Sequence, residues 1–152
     1  MKKNLGADKL MINENGHFHD RTAAFGIESD QYVQGLVISD FNQDGWQDIY
    51  VSNDFEASDK LFMNTGNNGF EEKIRSATKH VPLFSMGVDA GDVNNDGLMD
   101  LMTVDMAIED HVKSKKNMGG MNTKNFWALV EHGEHYQYMF NALQLNIGEQ
   151  FI

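Results

Sequence analysis

A nine-residue acidic pattern occurs twice in this chain in one register. Asp40-Phe41-Asn42-Gln43-Asp44-Gly45-Trp46-Gln47-Asp48 and Asp92-Val93-Asn94-Asn95-Asp96-Gly97-Leu98-Met99-Asp100 both read DxNxDGxxD and lie 52 residues apart. A second landmark keeps nearly the same period. Leu10-x-x-Asn13 with Gly16 and Phe18 returns 51 residues later as Leu61-x-x-Asn64 with Gly66, Gly69 and Phe70, and again as Leu143-x-x-Asn146 with Gly148 and Phe151. The intervals from Asn13 to Asp40 and from Asn64 to Asp92 are 27 and 28 residues, whereas Asn64 and Asn146 are 82 apart, so about 30 extra residues lie between Asp100 and Leu143. A duplicated unit of this length constrains the fold strongly, because each copy is one supersecondary element that buries its apolar face against the next.

Strand-like sequence flanks each acidic loop: residues 35–39 and 48–52 around the first, 86–90 and 101–104 around the second. Residues 60–63 and 70–74 read as two further strands across the turn-rich stretch 64–69. Four short strands in about 50 residues is the arithmetic of a β-propeller blade, so the expected fold is all-β, with about two blades of a partial propeller. The organisation expected is the end of a preceding blade and linker over 1–34, a first full repeat over 35–86, and a second over 87–152 with an insert at about 106–142. Within the insert, Asn122 can cap a helix over 123–132 in which Phe126, Leu129 and Val130 share a face and which Gly133 ends. Leu36, Ile38, Ile49, Val51, Leu61, Met63, Val88, Leu101 and Val104 are the expected core.

The loops have the donor set of a Ca²⁺ site. Asp40, Asn42, Asp44 and Asp48 offer side-chain oxygen at positions 1, 3, 5 and 9, Gly45 allows the tight turn, and Trp46 supplies a backbone carbonyl at position 7; Asp92, Asn94, Asp96, Leu98 and Asp100 repeat the set. Ca²⁺ takes six to eight hard oxygens at roughly 2.3–2.6 Å in a flexible shell, whereas Mg²⁺ demands stricter octahedral geometry. An EF-hand is not expected, since Val51 and Thr103 stand at position 12 in place of Glu and strands flank the loop. Asp, Asn and Gly also favour ordinary solvated turns, but two copies in register favour two calcium sites.

Composition narrows the function classes. Lys and Arg number 12 against 23 Asp and Glu, a formal charge of −11, which disfavours nucleic-acid partners. No cysteine is present, so thiolate metal sites and Cys nucleophiles are excluded. No apolar run approaches the roughly 18 residues of a membrane span, and residues 1–6 lack a secretory h-region. Glu131-His132-Gly133-Glu134-His135 lacks the spacing of a helical HExxH zinc site, and His17 and His19 read as a solvated strand face. Asp54, Glu56 and Asp59 could supply paired carboxylates for glycoside hydrolysis, although sequence cannot set their separation. Met86, Met99, Met102 and Met106 read as core filling, Lys113, Lys115 and Lys116 as a solvated loop, and one of the adjacent Phe126 and Trp127 as an interface anchor.

The arrangement of strand, DxNxDGxxD, strand and LxxNxG, with Thr22-Ala23-Ala24-Phe25-Gly26-Ile27 following the first aromatic, resembles the FG-GAP or VCBS repeat family, which includes the integrin α-subunit head and cartilage acidic protein. The repeats look most similar to bacterial cell-envelope members of the cartilage acidic protein-like group. The resemblance implies a propeller, commonly of seven blades, with Ca²⁺ in the loop between a blade's first two strands. It also implies an extracellular or cell-envelope location, at the cell surface or in the periplasm. In that frame the chain starts and stops mid-blade, so a fragment of a longer protein is expected, or pairing with another copy through open sheet edges. The expected role is non-catalytic binding, adhesion or scaffolding toward a protein or glycan ligand, without nucleic acid or membrane insertion. The alternative is a polysaccharide-active enzyme or its accessory module.

Overall fold

The computed structural model describes residues 8–27, 31–54, 57–67, 69–107, 113, 122–148 and 150–152. Strands β1 (Met11–Glu14) and β2 (His17–Asp20) form a hairpin closed by Asn15-Gly16. Both turn residues have positive φ, at 54° and 87°, as a two-residue hairpin of matching twist requires. A 3₁₀ turn, Ala23–Phe25, leads toward β3 (Tyr32–Ser39). With β4 (Asp48–Asp54), β5 (Lys60–Asn64) and β6 (Phe70–Glu72), β3 forms a four-stranded antiparallel sheet in sequential order. Helix α1 (Ile74–Ala77) and β7 (Val81–Pro82) connect to β8 (Ser85–Gly91), which pairs with β9 (Asp100–Asp105). Helix α2 (Thr123–Glu131) and β10 (Gln137–Tyr138) precede β11 (Ala142–Gln144), which completes a three-stranded antiparallel sheet, β11-β9-β8. The chain is thus mostly β, as expected.

The repeat recurs in the pairing. Asn13 lies opposite Phe18, Asn64 opposite Phe70 and Asn146 opposite Phe151. Both sheets carry a bulge at the same place, between Val33 and Gly35 and between Ser85 and Gly87. There β8 packs across β3 and β4. The approach is close because Gly35 has no side chain: a Cβ there would meet Ser52 Oγ at 3.1 Å and the Gly87 Cα at 3.4 Å.

The main core lies between the sheets. Tyr50 and Leu61 from the first face Leu101 from the second, with Phe41, Ile74, Val81 and Phe151 closing the sides. Phe41 and Phe151 meet edge to face with centroids 5.7 Å apart. This placement corrects the expected core. Leu61, Leu101 and Val51 are buried, and Ile49, Met63 and Val88 are half-buried, but Leu36, Ile38 and Val104 are exposed. The reason is the period of two: Leu36 and Ile38 lie beside Val51 and Ile49 on the face turned away from the second sheet, where, among the described residues, Leu10 and Ile27 with their neighbours cover part of it. Val104, Met102 and Leu143 occupy the outer face of the second sheet. Met102 and Met106 therefore do not fill the core, while Met99 packs against it.

Two further expectations differ. The strand begun at Phe70 ends at Glu72, because the Glu72 carboxylate accepts from the Ile74 N–H (2.7 Å) and starts α1, turning Ile74 into the core. The short parallel pair β7–β10 has no sequence periodicity to announce it. Helix α2 spans Thr123–Glu131 as expected, with the Asn122 side chain accepting from the Lys124 N–H at 2.9 Å and Gly133 at φ 97° just past its end.

Candidate functional site

The two acidic loops sit side by side, joined where the Gln43 side chain donates to the Gly97 carbonyl at 2.8 Å. Their internal geometry is nearly the same. Asp40 accepts from the Asp44 and Gly45 N–H groups at 3.1 and 2.9 Å, and Asp92 accepts from Asp96 and Gly97 at the same distances. Asn42 and Asn94 accept from the N–H two residues on at 3.1 and 3.0 Å; Asp44 and Asp96 do so at 2.8 Å, from Trp46 and Leu98. Gln43 and Asn95, at φ 58° and 61°, and Gly45 and Gly97, at 89° and 87°, give each loop its left-handed bends. The residues at positions 1, 3 and 5 therefore gather around one nest of backbone N–H groups at the exposed end of the sheets.

Position 9 is different. Asp48 and Asp100 are fully buried, and each spans two elements. Asp48 accepts from Phe41 at 2.9 Å and Asn64 at 2.8 Å; Asp100 accepts from Val93 and Asn146 at the same two distances. Burial, reinforced by the nearby Asp44 and Asp40, raises the Asp48 pKa against the pull of its two N–H donors. The two sequence landmarks are thus one structural unit: the last Asp of the acidic pattern holds the Asn of LxxN. That Asn in turn accepts from the glycine N–H two residues on, at 2.9 Å for both Gly66 and Gly148.

The donor chemistry suits Ca²⁺: hard oxygens only, with anionic charge at positions 1, 5 and 9. Each carboxylate oxygen engaged by an N–H keeps a further lone pair. Among the described residues no three acidic or histidine side chains are drawn together as a ready cage, because those at positions 1 and 5 face their own loop's N–H groups and position 9 faces the strands. At position 7, Trp46 is exposed with its indole against Gly66, and Leu98 is half-buried.

The remaining candidates fall elsewhere. His17 and His19 lie on the exposed hairpin. Glu134 accepts from the Ser58 N–H (2.9 Å) and hydroxyl, and buried His135 bonds the Thr78 carbonyl at 3.0 Å, so these two hold the insert to the body. Glu56, Lys115 and Lys116 lie outside the described residues; Lys113 is exposed. Asp54 and Asp59 are buried. Asp59 accepts from Asn53 N–H, Tyr50 hydroxyl and Ser85 hydroxyl at 2.9, 2.7 and 3.0 Å; burial nevertheless raises its pKa to about 7 and keeps the Tyr50 phenol protonated. Phe126 is half-buried and Trp127 exposed. Sequence reasoning passed over Gln137, a buried amide in a two-residue strand with no pattern around it.

No helix among the described residues is long and apolar enough to cross a membrane. A comparison with curated proteins gives no match. Residues 40–103, from the first acidic loop through the strand that follows the second, match the FG-GAP-like repeat family, which supports the resemblance carried by the repeated loops.

Proposed function

We propose that the chain is a calcium-binding β-propeller segment of an extracytoplasmic protein, with a non-catalytic role in ligand binding, adhesion or scaffolding. The observation that carries the reading is the pair of acidic loops, built alike bond for bond and set side by side. Asp40, Asn42 and Asp44, with the Trp46 carbonyl and Asp48, would hold one Ca²⁺; Asp92, Asn94, Asp96, the Leu98 carbonyl and Asp100 would hold the other. Bound metal neutralises three carboxylates per loop and ties the strands on either side together, taking the formal charge from −11 toward −7. Calcium near millimolar outside cells suffices for weak loop sites. Apolar side chains on both outer faces, Leu36 and Ile38 on one and Met102, Val104 and Leu143 on the other, support sheets stacked in series, as propeller blades are.

Calorimetric titration of metal-stripped protein with Ca²⁺ should give two sites and a rising melting temperature, equivalent to about 2.7 kcal/mol at a hundredfold excess over Kd. Asp44→Ala and Asp96→Ala should each remove one site. A full thermal response in either variant would refute that loop's role.

A further inference from the structure

A second candidate site lies away from the loops, in the insert. Helix α2 and the β7–β10 pair line an open-sided cavity of about 200 Å³ whose walls are Leu83, Phe126, Leu129 and Tyr138, with Thr123, His135 and Gln137 as its polar members. Gln137 is 2% exposed, yet neither its amide nitrogen nor its oxygen has a hydrogen-bond partner among the described residues. A buried amide left unpaired on both sides is costly, and a ligand able to accept from its nitrogen and donate to its oxygen would relieve that cost. A secondary amide is such a group. Among the described residues none that lines the cavity is acidic, Lys or Arg, and burial lowers the pKa of His135 and so favours its neutral form, so these walls favour an uncharged ligand.

The surroundings specify more. The cavity is smaller than the roughly 300–1,000 Å³ of a drug-sized pocket, so it suits one substituent or one small ring. From it an array of rings reaches the surface. Tyr136 stacks on Phe126 (6.1 Å, 12° between planes), Phe126 neighbours Tyr138 (5.6 Å, 31°), and Tyr138 stacks on Phe140 (5.7 Å, 11°). Tyr136 and Phe140 are exposed at its two ends. Exposed rings at Tyr136 and Phe140, beside a mainly apolar pocket that holds one unpaired amide, suit a ring with one apolar C–H face and polar edges, as in a pyranose. A peptide amide could meet Gln137 but lacks that flat face.

We propose that this cavity binds an acetamido sugar, its N-acetyl group against Gln137 and its ring on the aromatic array. The test titrates the chain with N-acetylglucosamine, with glucose, which lacks the amide, and with N-acetylglycine methylamide, which lacks the ring. Binding is read by calorimetry and by the Gln137 side-chain amide resonance in ¹⁵N-labelled protein. N-acetylglucosamine should bind and shift that resonance, the two controls should bind at least tenfold more weakly, and Gln137→Met should weaken the sugar at least tenfold without lowering the melting temperature. Equal binding of glucose would remove the acetamido assignment, equal binding of the peptide amide would remove the sugar, and absence of binding or an unmoved resonance in the unaltered chain would overturn the site. Because the acidic loops take no part, loss of calcium binding in Asp44→Ala leaves this result readable on its own.

Discussion

Asp48 and Asp100 stand at the same place in the two repeats and do the same thing, whereas Asp59 and Asn141, which also correspond, do not. The first pair is buried in both sheets, each residue on two backbone N–H groups at matching distances. In the second pair one contact persists: Asn53 donates to Asp59 as Asp105 donates to Asn141, at 2.9 and 2.8 Å. Around it everything else has changed. Asp59 is fully buried under Tyr50 and Ser85, while Asn141 is exposed, and exposed Met102 takes the place of Tyr50. The repeat therefore keeps the contacts that hold its loop and LxxN turn, and varies what lies behind them, where the second copy admits the insert.

The largest effect should come from the shared feature. Asp48→Ala and Asp100→Ala each strand two N–H donors at a buried position, costing about 3–5 kcal/mol apiece. Urea denaturation in the presence of a chelator should give equal losses; a difference of more than about 1 kcal/mol would break the equivalence of the repeats. The next effect tests the divergence. Asp59 is more easily protonated in the fold than in the unfolded chain, so its stabilising contribution is complete below about pH 4 and is lost as pH rises through about 7. Asp59→Asn would keep the bond from Asn53, offer its amide hydrogens to the Tyr50 and Ser85 oxygens, and carry no titration. Its melting temperature should exceed that of the parent at pH 8 and lose the advantage at pH 4. Parallel curves across that range would mean that Asp59 is charged in the fold throughout.

How much of this was legible follows from where the information resides. The loop turns, the strands flanking the two acidic loops and helix α2 are local, set by glycines, Asx side chains and an N-cap within a few residues, and they read directly from the sequence, unlike β7 and β10. The tie from Asp48 to Asn64 is not local, yet it left a trace as two landmarks with one period. The face of β3 left no such trace. Leu36 and Val37 are equally apolar, and which of them is buried depends on the second sheet approaching through Gly35. Gln137 and Asp59 were obscure for a related reason, since each owes its environment to residues distant in the chain that carry no repeated spacing.

Smaller effects probe the contact between sheets. Gly35→Ala would place a methyl against Ser52 and the Gly87 backbone and should cost about 1–2 kcal/mol, read from the urea midpoint. Gly87→Ala meets only Val104 Cγ2, at 3.6 Å, and should be neutral or slightly stabilising. Equal costs would mean that the sheets do not approach through Gly35.

The smallest expected effect concerns the exposed side chain that bridges the loop tips, beside the buried Asn146 amide, which donates to the Phe41 and Met99 carbonyls at 2.7 and 3.2 Å. Gln43→Asn installs the residue found at the corresponding position 95, which tolerates positive φ equally well but is one methylene too short for the Gly97 carbonyl. An exposed neutral hydrogen bond of this kind contributes no more than about 0.5–1 kcal/mol, so the apo protein should lose at most a few degrees in melting temperature. The informative readout is coupling. With Gln43 in place, ordering one loop restrains a group that holds the other, so the thermal effects of Asp44→Ala and Asp96→Ala measured in calcium should depart from additivity. In the Gln43→Asn background that departure should shrink to what the Asn146 amide alone transmits. Additivity in both backgrounds would make the loops independent neighbours, alike because the repeat is duplicated and not because they act together.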